Sequence, residues 1–168
     1  MNNILGILLA GGNGTRLRPL TEFVNKHLLP IGRLPMIEYP LMKLINAGIK
    51  NIHVVTGGEN YPAVVKYLGS GSKWQVNITY SIQDKAGGIA EALGLAEGIT
   101  NGRKMVVILG DNLFEMDLRE PVYQFNNSAK EKEAILFSCF SINKCLVFVK
   151  IPPPLIKLSQ TFLFFVIL

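Results

Sequence analysis

The sequence has 168 residues and a formal net charge of +5, from 17 Lys and Arg against 12 Asp and Glu, which is enough chain for one domain with a buried core. Acidic residues are interspersed with the basic ones as far as Glu133, which excludes the basic stripe of a nucleic-acid-binding protein; the excess charge suits small anionic substrates. Cys139 and Cys145 match neither a metal-binding pair nor a secreted disulfide framework, and no basic segment precedes the first apolar run. These features predict a cytoplasmic protein.

The spacing of apolar residues alternates between strand and helix patterns along the chain. A continuous apolar run at residues 4–9 predicts a strand covered on both faces in a parallel sheet. Helical spacing follows, with Pro35 near its first turn and Gly48 at its end. Further strands are predicted at 51–56, 78–82 and 105–109, and further helices at 61–68, at 89–96 with Gly98 as its end, and at 118–125. This order predicts an α/β fold, doubly wound with a mostly parallel sheet.

Glycine-rich or polar segments directly follow the predicted strands. In open parallel sheets, ligands gather outside the carboxyl ends of the strands, so these segments should converge although they are far apart in sequence. They are residues 11–16, 56–58, 83–88 and 110–112.

The segment after the first strand is the most informative, because it has three glycines between residues 11 and 14, followed by Thr15 and Arg16. Glycines let backbone N–H groups surround an anion without hindrance from Cβ, and the guanidinium adds fixed positive charge. A dinucleotide fingerprint would need glycine at Leu17, and a P-loop would need Gly-Lys-Ser/Thr there, so neither common motif fits. The loop predicts a nucleoside triphosphate as the ligand.

Asp111 follows a buried strand and a glycine. A lone carboxylate in that position can hold Mg²⁺, which keeps waters and triphosphate oxygens as its other ligands. The alternative is a turn-forming aspartate held by local backbone bonds. Beside a triphosphate loop, metal binding is the better interpretation. His27 and His53 lack the spacing of a metal-binding pair and are interpreted as structural.

Two cations and a glutamine complete the candidate site. Nucleotidyl transfer places negative charge on a five-coordinate α-phosphorus and on the departing pyrophosphate, and Arg16 and Lys26 could stabilise that charge without a covalent nucleophile. Lys26 would otherwise be a solvated surface lysine, and Arg18 and Arg33 are interpreted as surface charges. Gln83 can donate and accept on the edge of a pyrimidine, although a glutamine after a strand is commonly just solvated.

From residue 3 to about residue 137 the sequence resembles sugar-phosphate nucleotidyltransferases, and among them the glucose-1-phosphate thymidylyltransferases. The shared motifs, in family order, are Leu9-Ala-Gly-Gly-x-Gly-Thr-Arg-Leu, Lys26-His-Leu-Leu-Pro, Pro35-Met-Ile, Leu68-Gly-Ser-Gly, Gln83-Asp-Lys-Ala-Gly-Gly-Ile-Ala and Leu109-Gly-Asp-Asn. The resemblance implies a Rossmann-like nucleotidyltransferase fold with Mg²⁺ as cofactor. It also implies in-line attack of the phosphate oxygen of glucose 1-phosphate on the α-phosphorus of dTTP, giving pyrophosphate and dTDP-glucose for deoxysugar and polysaccharide synthesis.

The same resemblance implies roles for individual residues. Arg16 and Lys26 would contact phosphates as the catalytic residues, and Asp111 would bind magnesium. The nucleotide-binding residues that it implies are Leu9, Gly11, Gly12, Gly14, Thr15, Arg16, Gln83, Gly88 and Asp111. Enzymes of this family often form homo-oligomers. Relatives that use UTP, CTP or ATP share the opening loop, so the preferred base stays open.

After Glu133 the sequence departs from the family pattern. Family members are longer, and their second half carries a glycine, a Glu-Lys pair that holds the sugar phosphate and a second acidic metal ligand, none of which is found here. We predict a nucleotide-binding core at 1–137 and an atypical apolar tail at 138–168 that replaces the sugar-binding half, so that the fold is truncated. Lysines and prolines cut the tail into pieces too short to span a membrane, and an altered or out-of-frame terminus is favoured over an amphipathic anchor. The chain is then either an active thymidylyltransferase or an inactive nucleotide-binding fragment.

Overall fold

Strands and helices alternate along the chain. The computed structural model describes residues 4–12, 14–59, 61–84, 87–100, 103–127, 134–137, 139–141 and 144–145. In chain order, its elements are β1 (Ile4–Ala10), β2 (Pro30–Ile31), β3 (Leu34–Pro35), α1 (Glu38–Asn46), β4 (Asn51–Gly57), α2 (Tyr61–Leu68), β5 (Asn77–Gln83), α3 (Gly88–Leu95), α4 (Glu97–Thr100), β6 (Lys104–Leu109), α5 (Arg119–Asn127), β7 (Ala134–Phe137), β8 (Cys139–Ser141) and β9 (Lys144–Cys145). The predicted strands and helices are therefore present in the predicted order.

The central sheet has five parallel strands in the order β5-β4-β1-β6-β7. The chain builds outward from β1 through β4 to β5, then returns to the other side of β1 and adds β6 and β7. Leu9 pairs with Val55 on one side and with Leu109 on the other. The strand order therefore reverses between β1 and β6, which is where a doubly wound sheet opens a crevice for ligands. The predicted fold class is confirmed.

The two faces of β1 enter two separate hydrophobic cores. Leu8 and Ala10 pack into a cluster with residues of α1, α2 and α5. Leu5, Ile7 and Leu9 pack on the opposite face with residues of α3. Every residue of the strand is buried, which explains why the sequence there is a continuous apolar run instead of an alternating one. Burial of apolar side chains on both faces supplies the main stabilisation of the sheet.

The beginning of the first helix differs from the prediction. Pro35 belongs to β3, which pairs with β2 as a short antiparallel hairpin, and α1 begins three residues later. The N–H of Met36 donates to the carbonyl of Leu29, and the N–H of Ile37 donates to the carbonyl of His27. These bonds tie the segment after Pro35 back to the preceding loop, so the chain does not start its helix there.

The predicted end of the third helix is also wrong. Gly98 lies inside α4, because the chain makes a second short helix after α3 ends. The N–H groups of Ile99 and Thr100 both donate to the carbonyl of Ala96, which carries the helical path past the glycine.

Part of the predicted tail falls within the described residues. There β8 pairs with β9 in antiparallel fashion, while residues 138, 142–143 and 146–168 lie outside the described part of the chain. In the described part, no helix is long and apolar enough to cross a membrane.

Candidate functional site

A cleft of about 260 Å³ opens at the carboxyl ends of β1 and β6, where the strand order reverses. The residues that line it are Leu9, Gly11, Gly12, Lys26, His27, Gln83, Gly88, Ile89, Ala92, Leu109 and Asp111. Three of the four predicted segments therefore contribute residues to the cleft, and Lys26 joins them; these residues are Gly11, Gly12, Gln83, Gly88 and Asp111. Segment 56–58 lies beside the cleft without lining it, since the backbone nitrogen of Gly57 is 3.7 Å from the place where a Cβ on Gly11 would lie.

Lys26 and Asp111 meet across the cleft. Lys26 begins a single 3₁₀ turn, and its Nζ lies 2.6 Å from Oδ2 of Asp111, which follows β6. The Lys26 side chain is 17% exposed, so the alternative of a solvated surface lysine is wrong. The turn after β6 is closed by the backbone, through the bond from Asn112 N–H to the carbonyl of Leu109. The Asp111 carboxylate faces the ammonium group.

The charge state of Asp111 follows from these surroundings. Burial by itself raises the pKa of the carboxyl group, but the hydrogen bond and charge of Lys26 lower that pKa below its usual value, with smaller contributions from His27 and from the backbone of Asp111 itself. The carboxyl group is therefore ionised at neutral pH. An ionised carboxylate in a cleft is a hard oxygen ligand of the kind that Mg²⁺ prefers.

Two glycines of the loop have side chains packed closely against them. A Cβ on Gly11 would lie 2.6 Å from Oε1 of Gln83. Gly14 has a φ of +65°, and its Cβ would lie 2.8 Å from Cβ of Lys26. The loop is held in this shape by a hydrogen bond of 2.7 Å from Oγ1 of Thr21 to the carbonyl of Gly14. The glycines thus allow the loop to close over Gln83 and Lys26.

Gln83 is buried, with 6% of its surface exposed, so the alternative of a solvated glutamine is wrong. Its Nε2 donates to the carbonyl of Gly88 at 3.3 Å and to Oε2 of Glu91 at 3.0 Å. Gln83 ends β5 and Gly88 begins α3, so the amide joins a strand end to the helix that follows it. Sequence reasoning missed Glu91, whose only signal is its place in the first turn of that helix.

Arg16 and Thr15 lie away from the cleft lining. With Leu17 they form a single 3₁₀ turn whose side chains are exposed. Gly14 packs against Lys26 and also does not line the cleft. The phosphate contacts of these three residues stay predictions. Arg18 is exposed, as predicted.

His27 is a cleft residue that sequence reasoning did not place there. It is 1% exposed, and burial lowers its pKa to about 4, with the ammonium of Lys26 adding to this shift and Asp111 opposing it. The ring is therefore neutral at neutral pH. Its Nδ1 lies 3.1 Å from Oδ1 of Asn25, which also accepts the backbone N–H of His27 at 2.8 Å. Because that oxygen can only accept, Nδ1 carries the proton.

His53 lies on β4, outside the cleft lining, as a structural histidine. Its Nδ1 is 2.8 Å from Oγ1 of Thr79, and its Nε2 is 3.0 Å from Oγ of Ser81. Both partners belong to the neighbouring strand β5. The imidazole therefore joins two strands of the sheet, and its interpretation as a structural residue is confirmed.

The side chains of the cleft suit a metal ion whose other ligands are waters and substrate phosphates. Among the described residues, no group of three or more His, Cys, Asp or Glu side chains is placed to hold a metal ion. Of the residues that line the cleft, Asp111 is the one that carries a carboxylate. Mg²⁺ is commonly bound by one or two carboxylates, with waters and substrate phosphates as the remaining ligands. The cleft therefore fits Mg²⁺ delivered with a triphosphate better than a metal ion held by the protein alone.

The chain is similar in sequence to known proteins. The family model for nucleotidyl transferases matches residues 5–143. A glucose-1-phosphate thymidylyltransferase from Actinoplanes sp. is 42% identical over 125 residues, which are 74% of this chain and 41% of that relative. The chain thus spans less than half the length of this curated relative.

Solved structures show the same fold. A Bacillus anthracis protein assigned as a glucose-1-phosphate thymidylyltransferase, solved in complex with a sucrose, superposes with a TM-score of 0.73 at 51% identity, covering 76% of this chain and 52% of that one. A UDP-glucose pyrophosphorylase complexed with UDP-glucose superposes with a TM-score of 0.60 at 25% identity, covering 76% of this chain and 54% of that one.

Proposed function

Since the chain belongs to the nucleotidyl transferase family, we propose that it binds dTTP in the cleft between β1 and β6 and transfers the thymidylyl group to glucose 1-phosphate. The products are dTDP-glucose and pyrophosphate. The observation that carries the proposal is the convergence of Lys26, Gln83 and Asp111, from three distant segments, on one cleft beside the glycine loop. The names of the similar proteins support thymidine over uridine, because the UDP-glucose pyrophosphorylase is the more distant relative.

For this nucleotidyl transfer the protein has to position the two substrates and supply positive charge. A phosphate oxygen of the sugar phosphate attacks the α-phosphorus of dTTP, and the bond from that phosphorus to the bridging oxygen breaks, so that pyrophosphate leaves with the electron pair. Negative charge increases on the α-phosphoryl oxygens and on the leaving group. In our proposal Lys26 and the amides of the glycine loop stabilise this charge, and Arg16 reaches the phosphates from its exposed turn.

Asp111 is the residue that would hold Mg²⁺. When bound, the cation would offset charge on the triphosphate and on the departing pyrophosphate. Lys26 is within hydrogen-bond distance of the same carboxylate, so the ammonium has to move from Asp111 toward the phosphates as the nucleotide enters. We also place the chain in the cytoplasm, where nucleoside triphosphates and sugar phosphates are present together.

A second candidate function follows from the length of the match. The chain covers 41% of the Actinoplanes relative, so a chain that binds dTTP without transferring its thymidylyl group is the alternative to an active enzyme. It would bind the nucleotide through the same cleft and lack a site for the sugar phosphate.

Measurement of pyrophosphate release separates the two functions. The full chain is incubated with dTTP, glucose 1-phosphate and Mg²⁺, with glucose 1-phosphate omitted in the control. The proposal predicts pyrophosphate release that requires both substrates and is lost in Lys26→Met. Binding of dTTP without pyrophosphate release would favour the second candidate function. If the chain neither binds dTTP nor releases pyrophosphate, both candidate functions are contradicted.

A further inference from the structure

We propose that Glu91 is a positioning residue that determines which atom of Gln83 faces the nucleotide base. It thereby favours bases with a ring N–H, such as thymine and uracil, over cytosine. The inference rests on the proposed function, because it concerns the base of a nucleotide bound in the same cleft. It is carried by the hydrogen bonds of one buried amide.

The orientation of the Gln83 amide is determined by its two partners. Oε2 of Glu91 lies 3.0 Å from Nε2, and the carbonyl oxygen of Gly88 lies 3.3 Å from it. A carboxylate and a backbone carbonyl can only accept hydrogen bonds, so the NH₂ group must face them. The reversed amide would place its oxygen against two other oxygens. The hydrogen-bond partners therefore assign the nitrogen and the oxygen of the Gln83 side chain. In an amide without such partners the two atoms could be exchanged.

The Gln83 oxygen faces the glycine loop. Its Oε1 lies 2.6 Å from the place where a Cβ on Gly11 would be, and both residues line the cleft. No described residue donates a hydrogen bond to this oxygen. Because Gln83 is buried, a base that enters the cleft meets a fixed acceptor.

Glu91 is well placed to stay close to Gln83. It lies in the first turn of α3, directly after the segment that links β5 to this helix. Gly87 provides the room for it, since a Cβ at that position would collide with Oε2 of Glu91. The side chain of Glu91 is exposed, so its removal leaves no hole in the core.

A fixed acceptor selects a donor on the base. Thymine and uracil carry a hydrogen on N3, whereas N3 of cytosine is itself an acceptor. An acceptor facing an acceptor loses one buried hydrogen bond, which corresponds to roughly a tenfold difference in affinity. Without Glu91, the NH₂ group of Gln83 keeps only the longer bond to the Gly88 carbonyl, so the amide can turn that group toward the cleft and serve either base.

The test compares dTTP with dCTP. Affinities for both nucleotides, with Mg²⁺, are measured by calorimetry on the full wild-type chain and on the Glu91→Ala, Glu91→Gln and Glu97→Ala variants. Glu97→Ala is the matched control, because it removes an exposed glutamate from the neighbouring helix α4. We expect a preference for dTTP of about tenfold in the wild type and in Glu97→Ala. We expect that preference to fall toward unity in Glu91→Ala, and most of it to return in Glu91→Gln, whose amide oxygen can still accept.

An unchanged ratio of the dTTP and dCTP affinities in Glu91→Ala would overturn the inference. This includes the case in which both affinities fall by the same factor, which is the result expected if Glu91 has only a structural role. A wild-type chain that binds neither nucleotide would contradict the proposed function itself. The ¹H–¹⁵N signals of the Gln83 side-chain amide give a readout without nucleotide. They should shift in Glu91→Ala and stay in place in Glu97→Ala, and unshifted signals in Glu91→Ala would overturn the positioning role.

Discussion

Nζ of Lys26 lies 2.6 Å from Oδ2 of Asp111, so the cation and the carboxylate proposed to act on the nucleotide are bound to each other. Each neutralises the charge that the other would offer to a ligand. A triphosphate bound to Mg²⁺ provides a replacement partner for both groups at once. Its phosphates attract the ammonium of Lys26, and its Mg²⁺ attracts the carboxylate of Asp111. Metal and nucleotide binding should therefore be coupled through this pair.

Replacing Lys26 by Met should have opposite effects on metal and nucleotide. The variant frees Asp111, so the affinity of the nucleotide-free chain for Mn²⁺, followed by electron paramagnetic resonance, should rise by a few-fold, as expected for the loss of a partly exposed ion pair. The affinity for dTTP should fall, because a phosphate contact is lost. Lys66→Met is the control, since Lys66 is exposed on α2. A parallel fall of both affinities would contradict the coupling.

Asp111→Asn should remove the dependence of dTTP binding on Mg²⁺. The amide keeps the size of the side chain but loses the charge that attracts the cation. Calorimetric titrations with dTTP in Mg²⁺ and in EDTA should then give similar affinities, whereas the wild type binds at least about tenfold more tightly in Mg²⁺. Asp117→Asn is the matched control, because Asp117 is exposed and paired with Arg119 outside the cleft. Retention of the Mg²⁺ effect in Asp111→Asn would remove Asp111 as the metal ligand.

Two glycines with similar positive φ angles separate loop strain from site geometry. Gly14 and Gly69 have φ of +65° and +56°, but only the Cβ of Gly14 would meet Lys26; that of Gly69 would have nothing within 4 Å. Alanine at either position should destabilise the fold by about 1–2 kcal/mol in urea unfolding. Gly14→Ala should in addition weaken dTTP binding, because it displaces Lys26. Equal dTTP affinities in the two variants would count against the loop as part of the site.

Arg16 and Arg18 form a second matched pair, since both are exposed and only two residues apart. If Arg16 reaches the phosphates, Arg16→Ala should lower the affinity for dTTP by about tenfold, as for the loss of a charge-assisted hydrogen bond. Arg18→Ala should change it little beyond the effect of net charge. Similar losses in both variants, at low and at high salt, would show that neither arginine makes a specific contact.

The buried His53 predicts that stability falls in mild acid. Burial lowers the pKa of this imidazole in the folded chain, so the unfolded chain takes up a proton first as the pH falls below about 6.5. The free energy of unfolding should therefore decrease from pH 7.5 to pH 5. It should decrease less in His53→Gln, which keeps hydrogen-bonding groups near Thr79 and Ser81 but does not titrate. Urea unfolding at the two pH values measures the difference, and equal losses in both chains would contradict this account.

The sequence was sufficient to predict the elements that carry a strong physical pattern. The apolar run of β1 is continuous because both faces of that strand are buried, and that requirement is visible without coordinates. The residues after β1, β5 and β6 were expected to converge because parallel strands bring their carboxyl ends to one edge. Gln83 and Asp111 were found in this way.

What could not be predicted depends on contacts between distant segments. The ion pair of Lys26 with Asp111 joins residues 85 positions apart, and no local pattern encodes it. The burial of His27 involves Gly110, because a Cβ on that glycine would lie 3.0 Å from Cδ2 of the His27 ring. Proline is common in the first turn of a helix, but backbone hydrogen bonds to the preceding loop hold Pro35 in the hairpin of β2 and β3. Glu91 matters through one hydrogen bond to a buried amide, which spacing alone cannot show.

The most direct test of the central claim is to map the nucleotide on the chain itself. Titration of ¹⁵N-labelled protein with dTTP and Mg²⁺ should shift the backbone signals of Gly11, Gly12, Gln83, Gly88 and Asp111, all of which line the cleft, in one saturable step. Signals from the opposite ends of β1 and β6 should stay in place. A saturating titration that leaves the cleft signals unshifted while the chain remains folded would contradict a nucleotide site between β1 and β6.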